Sequence, residues 1–298
     1  MTSSSGPKQL IVNTPQGLAG TLTREAQYVF NYQSSATECQ VAIGVPIQAQ
    51  SYTQSRLHPV FGQNLPEGFL LRRLSERLAR NGQKPTAMRL LSTLGGRQIG
   101  RLSFREPEAE IETTGSVNMK ELLHGKRSAG LFEYLVDQFM GSGISGVQPK
   151  VMASTTASPE RAALVGPDII IKAAGKDYEF LAGNEYLCMS AAKRAGLSVP
   201  EFWLSDDDAL FVIRRFDLAA HGNLGFEDMA TIAGEPSDSG GAYKYRSSYE
   251  QVARHVLRHC ADIESCQRLF EYVTLSVSFP FFSGHAVKFF AASHNSWG

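Results

Sequence analysis

Lys172 stands near the end of an apolar run, DIIIKAAG (168–175), that has the composition of a strand buried on both faces. A lysine ammonium is costly to bury unless an anion compensates it, so this setting asks for a carboxylate, a phosphate or both. Glu185, in the helical stretch that follows, is the candidate carboxylate. The alternative is that Lys172 snorkels out at a sheet edge and Glu185 is an ordinary exposed helical residue. Upstream, GSGISGVQPK (141–150) sets glycines at Gly141, Gly143 and Gly146, where backbone amides could turn inward and cradle phosphate oxygens without Cβ clashes. The same glycines would equally serve a tight hairpin. The run does not match GxxxxGK[ST], which excludes a Walker-type phosphate loop, and Lys150 is separated from Gly146 by Val147, Gln148 and Pro149.

Other constellations carry less chemistry. Cys39, Cys188, Cys260 and Cys266 form no CxxC, so they suggest neither a zinc site nor a disulfide framework, and scattered thiols suit a reducing compartment. His255 and His259 would share one helix face at i, i+4, but no HExxH glutamate accompanies them. With 29 Lys plus Arg against 29 Asp plus Glu, the net charge is zero, and no global field exists for gripping nucleic acid or an acidic membrane. Any such contact would be local, as on the face of Arg72, Arg73, Arg77 and Arg80. The start lacks the basic and apolar regions of a signal peptide, and no run reaches the length of a membrane span, so the expected location is cytoplasmic.

The elements that must position these residues are of mixed type. At 298 residues and 43% hydrophobic composition, the chain has material for about two domains. Tyr28, Phe30 and Tyr32 alternate as in a strand. GFLLRRLSERLARNG places Leu70, Leu71, Leu74 and Leu78 at helical spacing before Gly82, and TAMRLLSTLGG reads as a second helix. GRQIGRLSFRE then resumes strand character. The polar stretch from Pro107 to Ser116 reads as a hinge. Short helices follow in NMKELLHG and LFEYLVDQFMG, then the lysine strand, then a helix through FLAGNEYLCMSAAKRAG with Leu187, Met189, Ala192 and Ala195 available for burial. The strands EFWLS and ALFVIRRFD, a loop over 223–247 and two helices, YEQVARHVLRHCA and IESCQRLFEYVTLSVSF, complete the pattern. Asp262 and Glu264 belong to the cap and first turn of the last helix.

Glycine-rich turn, strand with lysine, helix with glutamate, then paired strands is the order of a kinase small lobe. SGVQPK, GNEYLCMSAAKRAGLSVP, FVIRRFD and GFEDMA resemble the HipA-like kinases of bacterial type II toxin–antitoxin modules, and GLAGTL, VFNY, VFGQNLPEGFLLRRLSERLA and LLSTLGGRQIGRLSF resemble their N-terminal subdomain. The resemblance spans nearly all of residues 16–279. It implies an α+β fold: a small N-terminal α+β subdomain at 16–106, then an incomplete protein-kinase-like core of HipA type at 116–279, with an atypical tail at 280–298. It further implies ATP as cofactor, with Ser145, Gly146, Val147, Gln148, Pro149 and Lys150 as the phosphate loop, Lys172 as the phosphate lysine and Arg214, Arg215 and Phe216 as the adenine-facing hinge. Loop autophosphorylation, known in some relatives, would fall on Ser142 or Ser145.

By resemblance the activity is Ser/Thr protein kinase, the substrate an aminoacyl-tRNA synthetase, and the partner a helix-turn-helix antitoxin of the HipB type with operator DNA reached through it. The match stops where phosphoryl transfer needs an aspartate and further Asp/Asn oxygens for magnesium. The family loop NxDxHxKN has no counterpart after LFEYVTLSVSF, where PFFSGHAVKFFAASHNSWG contains no Asp or Glu. The expectation is therefore a chain cut before its catalytic loop, with a frameshift-like ending, no catalytic or metal residues and no activity. Its alternative description is a pseudokinase fragment that binds antitoxin or nucleotide only.

Overall fold

The computed structural model describes residues 6–109, 116–125, 128–139, 150–155, 168–173, 179–218, 223–235, 247–260 and 262–278. The segment carrying Ser142, Ser145, Gly146, Val147, Gln148 and Pro149 lies outside these residues, as does the tail after Ser278.

The first sheet begins earlier than the alternation at Tyr28 indicates. Strands β1 (Gln9–Thr14) and β2 (Gly17–Arg24) pair as an antiparallel hairpin, and β2 pairs in turn with β3 (Tyr28–Tyr32). The edges are β4 (Tyr52–Gln54) and β5 (Ser103–Arg105), giving the order β4-β3-β2-β1-β5. Leu10, Val12, Leu22 and Phe30 project into one core, where Phe61 packs edge-on against both Phe30 and Phe104. Phe61 belongs to α1 (Pro59–Gly62).

Two helices join this sheet to the rest. In α2 (Gly68–Arg80), Leu70, Leu74 and Leu78 are buried, as their spacing predicts, while Arg72 and Arg80 face solvent. Those leucines pack in the second core, against residues from 117 onward. Helix α3 (Ala87–Leu94), capped by the Thr86 hydroxyl on the Arg89 amide, divides its apolar side chains: Met88 and Leu91 join the first core and Leu90 the second.

The second sheet is ordered β6 (Ser116–Val117), β7 (Lys150–Thr155), β8 (Ile169–Ala173), β10 (Leu210–Arg214), β9 (Phe202–Leu204). The β6–β7 pair is parallel and the others antiparallel. The end of the stretch read as a hinge is thus a short edge strand. Helices α4 (Met119–His124) and α5 (Ser128–Phe139) lie before β7, and α6 (Leu181–Arg194) connects β8 to β9. The region read as a loop from 223 contains a one-turn helix, α7 (Met229–Ile232), because the Asp228 carboxylate accepts from the Thr231 amide and caps it.

The last two helices form a hairpin around Val252, Val256 and Leu269. A Ser248/Gln251 capping box starts α8 (Tyr249–His259), and Asp262 accepts from the Ser265 amide at the start of α9 (Ile263–Ser278). The Tyr272 hydroxyl donates to Ser198 O (2.5 Å), tying α9 to the turn after α6. Among the described residues no helix is long and apolar enough to cross a membrane.

Candidate functional site

The second sheet has two unlike faces. Alternation along its strands sends Val151, Ala153, Ile169, Ile171, Leu210 and Val212 to one side, where they meet Leu122, Phe132, Leu135, Val136 and the α2 leucines. The same alternation puts Lys150, Met152, Ile170, Lys172, Phe211 and Ile213 on the other. In the register of β7 and β8, Lys150 stands directly opposite Lys172. Two cations placed opposite each other in a ladder are destabilising without a compensating anion.

Glu185 supplies one. Lys172 Nζ donates to Glu185 Oε1 at 2.6 Å, with the two side chains 19% and 15% exposed. Because β8 lies between β7 and β10, Lys172 has no sheet edge from which to snorkel. Its ammonium also lies 5.9 Å from the centre of the Phe211 ring, on the paired strand. Helix α6 presents Glu185 by packing on β8, β9 and β10 through Leu181, Ala182 and Ala192, with Tyr186 edge-on to Phe202 at 5.5 Å. Leu187 and Ala195, expected inside, are exposed instead; the helix is held near its two ends and turns that flank to solvent. One turn after Glu185, burial and the neighbouring carboxylate push the Cys188 thiol up to about 11, so it stays protonated and is a poor nucleophile at neutral pH.

The side chains of Arg214 and Arg215 hold structure together. Arg214 bridges Asp168 (3.2 Å) and Glu201 (2.8 Å) and lies over the Trp203 ring. Arg215, 1% exposed, grips the fully buried Asp217 with two hydrogen bonds, of 2.9 and 2.6 Å, and donates to Gln98 O at 2.9 Å. Phe216 packs against Phe226 at 5.9 Å and joins the cluster of Ile99, Met152 and Ile170. An apolar shelf thereby adjoins the two lysines.

Two acids hold the ends of these strands: Asp168, which the sequence does not single out, and Asp217, which lies upstream of where the catalytic loop is expected. Asp168 accepts from the Thr155 amide and hydroxyl, at 2.7 and 2.6 Å, and its carbonyl accepts from the Arg215 amide. Asp217 accepts from the Gly100 amide at 2.7 Å and thus links the two halves of the chain. The arginine two residues before Asp217 is the only local sign of that pair. Gln98, Ile99 and Gly100, read as part of a strand, form a loop, since Gly100 has φ +90 and β5 starts only at Ser103.

As a receptor, this face offers ammonium groups for phosphate oxygens beside an apolar surface for a flat ring. Among the described residues no group of three His, Cys, Asp or Glu side chains could hold a metal ion. His255 and His259 lie apart from this face, on α8, with their rings stacked at 6.4 Å.

The sheet, its interior lysine with a helix glutamate, and the preceding small sheet define a kinase-like fold of the HipA type. Residues 10–105 match the family described as the HipA N-terminal domain and residues 142–285 the HipA-like C-terminal domain, and the chain belongs to this HipA-like family. It is 26% identical over 216 residues to a Sinorhizobium fredii protein named "Putative kinase Y4dM", covering 66% of this chain and 48% of that protein. It is 29% identical over 139 residues to a Haemophilus influenzae protein named "Putative kinase", covering 43% of this chain and 40% of the other. The chain thus spans about half or less of the length of the curated relatives it matches. A solved structure of Shewanella oneidensis MR-1 HipA with HipB and operator DNA superposes with a TM-score of 0.63 at 16% identity, covering 90% of this chain and 68% of that one. That likeness is one of fold.

Proposed function

We propose that this chain binds ATP on the lysine face of its second sheet. In this reading Lys150 and Lys172 meet the phosphates, the segment Ser145–Lys150 wraps them, and Arg214–Phe216 borders the adenine. The carrying observation is the Lys172–Glu185 ion pair on an interior strand, since an ammonium fixed there beside an apolar shelf suits a phosphate-bearing aromatic ligand. Family membership supports Ser/Thr protein kinase activity for a complete protein of this type, with an aminoacyl-tRNA synthetase as substrate and Ser142 or Ser145 as the autophosphorylated residue. For the chain itself the reading is nucleotide binding without phosphoryl transfer, because NxDxHxKN is not found in its sequence.

Calorimetric titration with a non-hydrolysable ATP analogue tests this. The wild type should bind, Lys172→Ala should lose at least about tenfold in affinity, and magnesium should change binding little. Strong magnesium dependence, or phosphate transfer to any protein substrate, would show that metal ligands and a base are present after all. Unaltered binding by Lys172→Ala would remove the site.

A second reading concerns partners. The fold-similar structure is a complex with HipB and operator DNA, which supports docking of a HipB-like helix-turn-helix antitoxin on this chain, with DNA reached through it. Co-purification of the chain with the product of a neighbouring helix-turn-helix gene is the expected result; separate elution at micromolar concentration would count against it.

A further inference from the structure

The lysine face is not built by the second half of the chain alone. Between α3 and β5, the loop of Arg97 to Arg101 leaves the N-terminal unit and inserts Ile99, only 6% exposed, beside Met152 and Ile170. Ile213, Phe216 and Phe226 pack around these three. The next residue fixes the same ensemble by polar contacts. The Gly100 amide donates to Asp217 Oδ2 (2.7 Å), its carbonyl accepts from Asn223 Nδ2 (3.2 Å), and Gln98 O accepts from Arg215 Nη2 (2.9 Å). Gly100 also permits the approach, because a Cβ there would lie 3.2 Å from the Cβ of Phe226.

We propose that Ile99 is a positioning residue for the ring-binding half of the nucleotide site, and that the N-terminal unit takes part in nucleotide recognition through this loop. The proposal rests on the ATP reading of the lysine face and adds a division of labour to it. Lys150 and Lys172 answer to phosphate, and they are held opposite each other by the β7–β8 ladder. Phe216 and the backbone of Arg214–Phe216 answer to the base, and their position does depend on it: Ile99 packs in the cluster that Phe216 joins, while the adjoining Gly100 and Gln98 anchor Asp217 and Arg215 on either side of Phe216. Removing the Ile99 side chain opens space beneath the shelf and lets Phe216 settle inward, with every polar anchor left intact.

The test compares two probes on the full chain, the ATP analogue and inorganic tripolyphosphate. Ile99→Ala should weaken the analogue by about tenfold and leave tripolyphosphate unchanged, and Ile99→Val should recover most of the loss. A merely structural role would lower the melting temperature and weaken both probes together, which would overturn the proposal, as would a folded Ile99→Ala chain with wild-type affinity for both. If the wild type binds tripolyphosphate but not the nucleotide, or neither, the ATP reading itself fails and the inference falls with it. If Lys172→Ala weakens both probes while Ile99→Ala alters their ratio, both stand.

Discussion

Glu227 holds its carboxyl in the joint between the two halves of the molecule, where Oε1 accepts from the Ile43 amide at 2.7 Å. Burial, opposed in part by that bond, pushes its pKa from 4.5 up to about 7; neighbouring Asp228 raises it further and Arg101 lowers it. A carboxyl whose folded pKa is raised gives its full stability at low pH and loses it as pH rises from about 4.5 through 7. Glu227→Gln keeps an acceptor for Ile43 without the charge. It should match the wild type at pH 4 and exceed it by about 3 kcal/mol at pH 8, as read by urea denaturation at both values. A difference that does not vary with pH would show that Glu227 ionises normally. The Arg215–Asp217 pair sets a second test nearby. Asp217→Ala would leave a guanidinium buried without its carboxylate, and urea denaturation should report a loss of about 3–5 kcal/mol. A loss below about 1 kcal/mol would mean that water reaches Arg215.

Among the elements, β2 and β3 approach more closely than any side chain would allow at Gly20, where a Cβ would stand 2.1 Å from Asn31 O. Gly20→Ala must therefore push the strands apart and should cost about 3 kcal/mol, lowering the melting temperature without altering either probe of the lysine face. Elements with a strong period were legible in the sequence: the α2 leucines, the triple isoleucine of β8 and the helix carrying Glu185. The first hairpin was harder to read because the polar Asn13 and Thr14 dilute the signal of β1, and β6 because two residues make no pattern. The loop of Arg97 to Arg101 read as strand for a physical reason. Gln98 and Ile99 are buried, as in a strand, but by insertion into the other half of the chain, a long-range contact that no local period records. The candidate site shows the same division: Lys172 announces itself as a charge inside an apolar run, whereas Asp168 and Asp217 stand at strand ends, where an acid is ordinary and its partners are distant in sequence.

At the scale of the whole molecule, the two sheets share material too thoroughly to melt apart. Leu65 touches both cores, α3 sends Met88 and Leu91 to one and Leu90 to the other, and the α2 leucines, which precede the second sheet in sequence, are buried against it. Polar bonds close the same joint: Gln63 Nε2 donates to Phe226 O (2.7 Å), and Gln63 Oε1 accepts from the Asp228 amide (3.0 Å). Unfolding the first sheet alone would leave the α2 leucines without the chain that positions them and would release the loop that carries Ile99 and Gly100. One cooperative transition is therefore expected. Trp203 lies against the second core, and with Trp297→Phe it becomes the only tryptophan. In that variant its fluorescence and the far-UV circular dichroism should lose amplitude at the same urea concentration and with the same slope. A biphasic dichroism curve, or a fluorescence midpoint displaced from it, would mean that the first sheet is an independent unit and that its loop reaches the lysine face as a removable contact.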